Sequence, residues 1–309
     1  MANVFVTGAA GMMATAVIDK LLQKKHRVFG VDAKACYNFL DNSDYTFTQC
    51  DITDSRTITD LIESNGIDTV VHLACTADND FDSMITDSEL KMSKACDKFL
   101  YAAASKAGVR NFILTSTTQV YGIQKGREPI REATPEKGIG NYVDMKLLSE
   151  KMLLKAFKKS DTVPVIARLA PIYTADFTDN LRERVYDKKE DVAYIFREGE
   201  YGFSFCCLYN YVDFIVGIVN VPQGRYEGTY NICDSRQITA KEILDFEREH
   251  HRVGAVVQRN APAAVSFNKS KAKQDYRYFD PASTFANWNY DNTKATRIST
   301  FRWNLGNTK

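Results

Sequence analysis

A pair of glycines between a strand-like and a helix-like segment limits the fold of this chain more than any other feature. The run Asn3 to Thr7 is short and apolar, and the apolar residues between Gly11 and Gln23 recur at helical spacing. A second strand-like run follows at Arg27 to Val31. Strand, turn, helix and strand within about 30 residues are typical of a βαβ unit.

The turn carries small residues at three spaced positions. Gly8 permits a tight turn, Gly11 lets a pyrophosphate approach the backbone, and Ala14 lets the helix pack closely on the strand. Free N–H groups at the start of the helix, at Met12 and Met13, then face the phosphates. A spaced glycine pair alone is a weak signal, but its place between a strand and a helix predicts a dinucleotide site.

The alternation of strands and helices continues to about residue 170. Further strands are predicted at Tyr45 to Gln49, Thr69 to Ala74, Asn111 to Ser116 and Val163 to Leu169, and helices at Ser55 to Ser64, Asp87 to Ala107 and Tyr142 to Phe157. Such alternation predicts an α/β fold with a doubly wound, Rossmann-type parallel sheet. A ligand is expected at the carboxyl ends of its strands.

The rhythm changes after Pro171, which predicts two units. Residues 1–172 would form the NAD-binding domain, joined by a returning segment near 205–235, and residues 173–309 a smaller substrate-binding subdomain and tail. Beyond Pro171, helices are predicted at Phe214 to Asn220 and Thr239 to His250, a possible strand at Tyr226 to Ile232, and a lid or tail from Ala261 to Lys309.

Charge and cysteine content limit the kinds of molecule that this chain is expected to bind. Lysine and arginine number 40 against 39 aspartate and glutamate, so there is no electrostatic footprint for nucleic acid or an anionic membrane, and a small-molecule substrate is expected. The seven cysteines are scattered, without spacing suited to zinc, and are interpreted as reduced thiols of a cytoplasmic protein without a metal. No export signal or membrane span is indicated.

Asp32 ends the second predicted strand, 24 residues beyond Gly8. A carboxylate there can accept hydrogen bonds from the adenosine ribose and would repel a 2'-phosphate, which favours NAD over NADP. The alternative is a solvated aspartate at a strand end, and Lys34 lies close enough to leave the preference open.

Two further strand ends fall on the rim where the cofactor is expected. Asp51 and Ile52 follow the third strand, and Leu73 and Ala74 end the fourth. His72 precedes them and is interpreted as a core histidine rather than a catalytic one.

Three side chains suggest acid–base chemistry. Thr117 directly follows the carboxyl end of a predicted strand. Tyr142 and Lys146 are four residues apart in sequence and so lie on one face of a predicted helix. A nearby ammonium lowers the pKa of a tyrosine and makes it a usable base, while Thr117 would donate a hydrogen bond to the substrate oxygen. A Tyr/Lys pair at this spacing often arises by chance, but here it follows a dinucleotide turn.

The ordered set of motifs resembles the extended short-chain dehydrogenase/reductases, which include nucleotide-sugar epimerases and dehydratases. The resemblance spans about residues 3–175 and is carried by T-G-A-A-G-M-M-A, V-D, D-I, H-L-A-C, S-T-T-Q-V-Y-G, Y-V-D-M-K and R-L-A-P-I-Y. It implies a catalytic triad of Thr117, Tyr142 and Lys146, and that Tyr142, Lys146, Pro171 and Ile172 also line the cofactor site. It further implies a homodimer formed through the helices at 87–107 and 142–157.

The chain departs from the family pattern at several positions. Ser93 stands where many relatives carry an asparagine, so the usual polar relay is altered. The pair Thr118-Gln119 replaces the Asp-Glu of sugar 4,6-dehydratases, and a neutral amide cannot perform that proton transfer, which disfavours dehydration. Cys206 replaces an arginine that commonly binds the substrate diphosphate, and residues 173–176 replace the family's Y-G-P.

Another cation could take over the role of the missing arginine. Arg182, Arg184 and Arg197 are the candidates, against the plainer interpretation that they form an ordinary charged surface. Three functions therefore stay open: an NAD-dependent nucleotide-sugar epimerase or oxidoreductase, a carbonyl reductase or alcohol dehydrogenase acting on a non-nucleotide substrate, and a non-catalytic dinucleotide sensor.

Overall fold

A computed structural model describes residues 1–75, 85–221, 226–262, 279 and 281–309, with the side chain of residue 282 left aside. Its centre is a seven-stranded sheet in which every neighbouring pair is parallel. The strands are β1 (Asn3–Thr7), β2 (Arg27–Asp32), β3 (Tyr45–Gln49), β4 (Thr69–His72), β5 (Asn111–Thr117), β6 (Val163–Leu169) and β12 (Gly228–Ile232).

Seven helices of the described chain surround this sheet or the smaller sheets beside it. They are α1 (Met12–Gln23), α2 (Ser55–Ser64), α3 (Asp87–Lys106), α4 (Asn141–Phe157), α5 (Asp179–Arg182), α6 (Leu208–Asn220) and α7 (Ala240–Glu249). Helices α1 and α6 pack on one face of the central sheet, and α2, α3 and α4 on the other. Because strand side chains alternate between faces, Val4 and Val6 enter one core and Phe5 the other.

The strand order is β3-β2-β1-β4-β5-β6-β12. The chain runs outward from β1 to β3 and then returns to place β4 beside β1, so the order reverses between β1 and β4. At such a reversal the loops leave the sheet in opposite directions and open a crevice at the carboxyl ends of the strands. The predicted α/β fold with a doubly wound parallel sheet is confirmed.

Three smaller sheets follow β6. Residues 172–262 contribute β7 (Ile172–Tyr173), β8 (Tyr186–Asp187), β9 (Val192–Phe196), β10 (Gly202–Phe203), β11 (Cys206–Cys207), β13 (Ile238–Thr239) and β14 (Val256–Arg259). Strands β8, β9 and β14 form a three-stranded sheet that the sequence did not predict, since its strands are short and the charged residues 188–191 separate β8 from β9. The chain then re-enters the central sheet through β12, which pairs with β6.

Several predicted boundaries differ from the structure, and two of these differences have a clear physical reason. Strand β4 ends at His72 rather than Ala74, because the amides of Leu73 and Ala74 donate to the Thr7 hydroxyl instead of a neighbouring strand. Helix α6 begins at Leu208 rather than Phe214. Its first turn is buried on most sides, so it lacks the polar face by which helical spacing is recognised.

The segment predicted as a lid or tail is in part built into the body of the protein. Tyr290 pairs with Ile130, and the backbone N–H of Trp303 donates to the side chain of the buried Asn210 (2.9 Å). Residues 263–278 and 280 lie outside the described residues. In the part of the chain that is described, no helix is long and apolar enough to cross a membrane.

A buried carboxylate follows the last strand of the central sheet. Asp234 accepts hydrogen bonds from the Tyr173 hydroxyl (2.7 Å), the Cys207 amide (2.8 Å) and the Asn210 side chain (2.7 Å). Burial nevertheless raises the pKa of Asp234 to about 6, against the effect of these donors. The unfolded chain therefore loses its proton at a lower pH than the folded one.

This difference predicts a pH-dependent stability. Below the unfolded pKa of about 4, Asp234 is protonated in both the folded and the unfolded chain. As the pH rises from about 4 to about 6, the free energy of unfolding falls by roughly 3 kcal/mol. In Asp234→Asn the amide keeps one acceptor oxygen but cannot ionise, so this fall should disappear. Urea unfolding of both proteins from pH 4 to pH 7 tests this, and parallel profiles would contradict it.

Candidate active site

A cleft of about 890 Å³ opens at the carboxyl edge of the central sheet, where the strand order reverses. One side of it is formed by the loops after β1, β2 and β3, and the other by β4, β5, β6 and the segment beyond them. Twelve of the thirteen predicted cofactor-binding residues line it: Gly8, Gly11, Met12, Met13, Asp32, Asp51, Ile52, Leu73, Ala74, Tyr142, Pro171 and Ile172.

The glycine turn is shaped to receive a phosphate group. Gly8 has φ +73°, and a Cβ at this position would stand 2.9 Å from the backbone nitrogen of Ala74, so the space admits no side chain. Gly11 precedes α1 and makes no side-chain cap for it. The first-turn amides of this helix therefore face the cleft uncapped, and its first turn carries no acidic residue that would repel an anion.

Asp32 lies at the end of the cleft nearest the outer strands. One of its carboxylate oxygens accepts a hydrogen bond from the backbone N–H of Ala10 (3.0 Å), and the other from that of Lys34 (2.8 Å). The two amides fix the carboxylate beside the glycine turn. This placement fits a ribose diol and disfavours an added phosphate, as the sequence predicts.

Replacing Asp32 by asparagine should shift the cofactor preference. The charge-assisted hydrogen bonds to the ribose would weaken and the repulsion of a 2'-phosphate would vanish, so we expect about a tenfold loss of NAD affinity and a gain in NADP affinity. Titration calorimetry with both dinucleotides measures this ratio. A variant that keeps the parent's preference would show that Asp32 does not contact the ribose.

A buried hydrogen-bond network holds the glycine turn against β4. The Thr7 hydroxyl accepts from the amides of Leu73 and Ala74, both at 3.1 Å, and lies 2.7 Å from His72 Nδ1. Since the hydroxyl oxygen already accepts twice, its own hydrogen points to Nδ1. His72 therefore carries its proton on Nε2, which faces Asp97 at 3.4 Å. The structure places His72 in the core, in line with the sequence interpretation.

Two of the three predicted catalytic residues line the cleft on its β5 side, and the third lies just behind them. Thr117 ends β5, Tyr142 lies in the first turn of α4, and both line the cleft. Lys146 is one turn further along the helix, with its Nζ 5.7 Å from the centre of the Tyr142 ring. Its ammonium donates to the Thr115 carbonyl (3.1 Å), which fixes the side chain beneath the tyrosine.

The surroundings of Lys146 keep it charged. Burial opposes the ammonium, but the electrostatic influence of the neighbouring Cys75, Tyr142 and Asp97 outweighs burial and raises the pKa of Lys146. The ammonium therefore persists at neutral pH. An ammonium next to a phenol favours the phenolate, which is what a tyrosine base needs.

A buried ion pair supports this helix from below. Glu150 follows Lys146 by one turn and is bound by two nitrogens of Arg168, at 2.6 and 3.1 Å. Both side chains are only 5% exposed, and the Ser116 hydroxyl also donates to Glu150. Residues 142, 146 and 150 share one helix face, so the pair ties this face of α4 to β5 and β6.

The structure shows where residues that depart from the family pattern lie relative to the cleft. Gln119 lines the cleft and Thr118 is buried, so no acid replaces the dehydratase pair there. Cys206 is fully buried and its thiol donates to the Cys207 carbonyl, so it cannot reach a substrate. Among the three candidate arginines, Arg184 lines the cleft while Arg182 and Arg197 do not.

Several polar residues of the site were not predicted. Asp97 accepts a hydrogen bond from Ser149 and faces His72, and the Glu150–Arg168 pair lies under α4. Each pair joins residues from different elements, so no local pattern reveals it. Among the described residues, no group of histidine, cysteine and carboxylate side chains is arranged to hold a metal ion.

Parallel strands in this order, an uncapped glycine turn after β1 and a cleft at the switch point define a Rossmann-type dinucleotide-binding protein. The chain belongs to the NAD dependent epimerase/dehydratase family, whose model matches residues 4–233. The predicted family is confirmed.

Known proteins with similar sequences are sugar-nucleotide enzymes. UDP-arabinose 4-epimerase 1 of Arabidopsis thaliana is 27% identical over 194 residues, covering 59% of this chain and 45% of that protein. The dTDP-D-glucose 4,6-dehydratase of Homo sapiens is 27% identical over 180 residues, covering 55% of this chain and 51% of that protein. The chain thus spans about half the length of these relatives.

Among solved structures, a UDP-glucuronic acid 4-epimerase from Bacillus cereus in complex with UDP-glucuronic acid and NAD is similar to this chain, with a TM-score of 0.74. Sequence identity is 19%, and the match covers 98% of this chain and 95% of that one. At this identity the likeness establishes the fold.

Proposed function

We propose that this chain is an NAD-dependent nucleotide-sugar epimerase or oxidoreductase that works through a keto intermediate of the substrate. The observation that carries the proposal is that Thr117 and Tyr142 line the same cleft as the glycine turn, with the charged Lys146 just behind Tyr142. The similarity to sugar-nucleotide epimerases and dehydratases supports the substrate class.

The residues of the cleft fit NAD. Gly8, Gly11 and the first-turn amides of Met12 and Met13 would bind the pyrophosphate, and Asp32 the adenosine ribose. Further contacts would come from the remaining lining residues, Asp51, Ile52, Leu73, Ala74, Pro171 and Ile172, with Lys146 at the nicotinamide ribose. When bound, NAD accepts the hydride from the substrate carbon.

The chain's own residues move the proton. The Tyr142 phenolate takes the hydrogen of a substrate hydroxyl, and Lys146 stabilises the phenolate by its charge. Thr117 donates a hydrogen bond to the same substrate oxygen and stabilises the charge that develops on it. Gln119 offers no titratable group, which favours epimerisation or oxidation over elimination.

Two measurements test the proposal. Purified protein that retains NAD and interconverts UDP-sugars without net NADH formation would support an epimerase, whereas a stoichiometric rise of the NADH absorbance would indicate a dehydrogenase. Calorimetry with UDP, GDP, CDP and dTDP tests the substrate class, because affinity for none of them would overturn the nucleotide-sugar assignment.

A carbonyl reductase or alcohol dehydrogenase with a non-nucleotide substrate is the second candidate. It is favoured by one observation: Cys206 is buried where many relatives carry an arginine, which leaves few cations in the cleft. NADPH- or NADH-dependent reduction of simple carbonyl compounds, together with no nucleotide affinity, would support it.

The organisation of the chain is also part of the proposal. Residues 1–172 with the returning segment near 205–235 would form the NAD-binding domain, and 173–309 the substrate-binding subdomain. A homodimer through α3 and α4 is supported by the exposed Leu154 on α4, and a cytoplasmic location by seven unpaired thiols. Light scattering tests the dimer.

A further inference from the structure

The charged residues that line the cleft are unevenly distributed. Four carboxylates face it, from Asp32, Asp51, Glu89 and Glu183, together with two basic side chains, Lys34 and Arg184. Lys34 follows Asp32 at the end of β2 and so lies at the adenosine end. Arg184 is therefore the cation that the lining offers on the β6 side, where Thr117 and Tyr142 also lie.

Arg184 is held rigidly in this position. It follows α5, its backbone N–H donates to the Leu181 carbonyl (3.1 Å), and its side chain is only 11% exposed. The guanidinium stacks on Phe279, 4.1 Å from the ring centre, and lies within 6 Å of the Phe203 and Phe205 rings. Aromatic rings on its faces orient the guanidinium and leave its N–H edge for polar partners.

The hydrogen bonds of Arg184 are few. A guanidinium has five N–H donors, and within the described residues one bond is made, a long one to Glu183 (3.3 Å). Burial lowers the pKa of Arg184, and the charge of Glu183 opposes this only in part. A buried cation with donors to spare, next to a cleft, is the arrangement that binds a planar or branched oxyanion.

The other candidate arginines are engaged elsewhere. Arg182 lies 3.7 Å from the buried carboxylate of Glu247 and stacks on Tyr186, and Arg197 stacks on Phe285. Neither contributes to the lining of the cleft. Cys206, which the sequence interpretation places at the family's diphosphate-binding arginine, is buried.

We propose that Arg184 binds the diphosphate of the nucleoside diphosphate substrate, so that in this chain the cation comes from the segment after α5 instead of position 206. The inference rests on the proposed function, because that function supplies the diphosphate. It makes Arg184 the residue that determines affinity for the nucleotide part of the substrate.

The test is calorimetric titration of the NAD-loaded protein with UDP, GDP, CDP and dTDP. Arg184→Gln and Arg184→Met both remove the charge, and the methionine keeps an apolar stem on Phe279. Each should weaken the binding of whichever nucleotide binds the parent by ten- to a hundredfold, with NAD affinity unchanged. Arg197→Gln is the matched control, another arginine stacked on a phenylalanine, and should change nucleotide affinity less than twofold.

The outcomes separate the two proposals. Nucleotide binding by the parent that is lost in both Arg184 variants at unchanged NAD affinity supports the inference. Undiminished binding in either variant overturns it and leaves the proposed function standing. A parent that binds NAD but none of the four nucleotides overturns the substrate class, and Arg184 then has no diphosphate to bind.

Discussion

Tyr142→Phe is expected to lower kcat by about 10²- to 10⁴-fold, the usual contribution of a positioned acid or base. The ring and its packing are kept, so only the ionisable oxygen is lost. KM and NAD affinity should change little, because the first-turn amides of α1 and Asp32 bind the dinucleotide independently of the phenol. Conversion of UDP-sugars, followed by chromatography at saturating substrate, measures the effect.

Tyr209→Phe is the matched control. This tyrosine also carries a hydroxyl, whose described bond is a long one to the Lys309 carbonyl (3.4 Å), and it does not line the cleft. We expect its kcat to stay within about twofold of the parent, as for most changes away from a site. A Tyr142→Phe protein with parental kcat would remove Tyr142 from the mechanism.

Arg168→Met is expected to destabilise the fold by about 3–5 kcal/mol, because it leaves the buried Glu150 carboxylate without its cation. Glu150 is buried and would lose two hydrogen bonds at once. A loss of this size lowers Tm by roughly 10 °C in a chain of this length. Differential scanning calorimetry measures the shift.

Arg236→Met serves as its control. Arg236 also pairs with a glutamate, Glu242, at 2.8 Å, but its side chain is 61% exposed. Solvent screens such a pair, so we expect a change below about 1 kcal/mol. In the double variant Glu150→Met/Arg168→Met no buried charge is stranded, and much of the lost stability should return. Equal Tm shifts in Arg168→Met and Arg236→Met would contradict the prediction that burial makes the Glu150–Arg168 pair more important for stability.

The sequence predicted the central sheet well because its signals are local. Helix α2 was predicted with the bounds it has, since Asp54 caps it by accepting from the Thr57 amide and its apolar residues lie on one face. The glycine turn and the Tyr142/Lys146 spacing are likewise local patterns. Twelve predicted cofactor residues consequently line one cleft, and Lys146 lies just behind it.

What the sequence did not reveal depends on distant residues. The partner of Glu150 lies 18 residues away on another element, and that of His72 lies 25 residues away on α3. Arg184 looked like one of three equivalent surface charges. Its burial involves distant residues, among them Phe279, which stands 95 residues later in the chain and packs on its guanidinium.

Strand β12 completes the sheet beside β6, although 58 residues separate the end of one from the start of the other. During synthesis the β6 edge therefore stays open until this stretch has left the ribosome. A fragment stopped at residue 172 would expose unpaired backbone amides and carbonyls along that edge and be prone to aggregation. We therefore expect that the NAD-binding domain can be expressed alone only in a fragment that extends through residue 232. The segment between β6 and β12 is thus inserted within the domain and does not simply follow it.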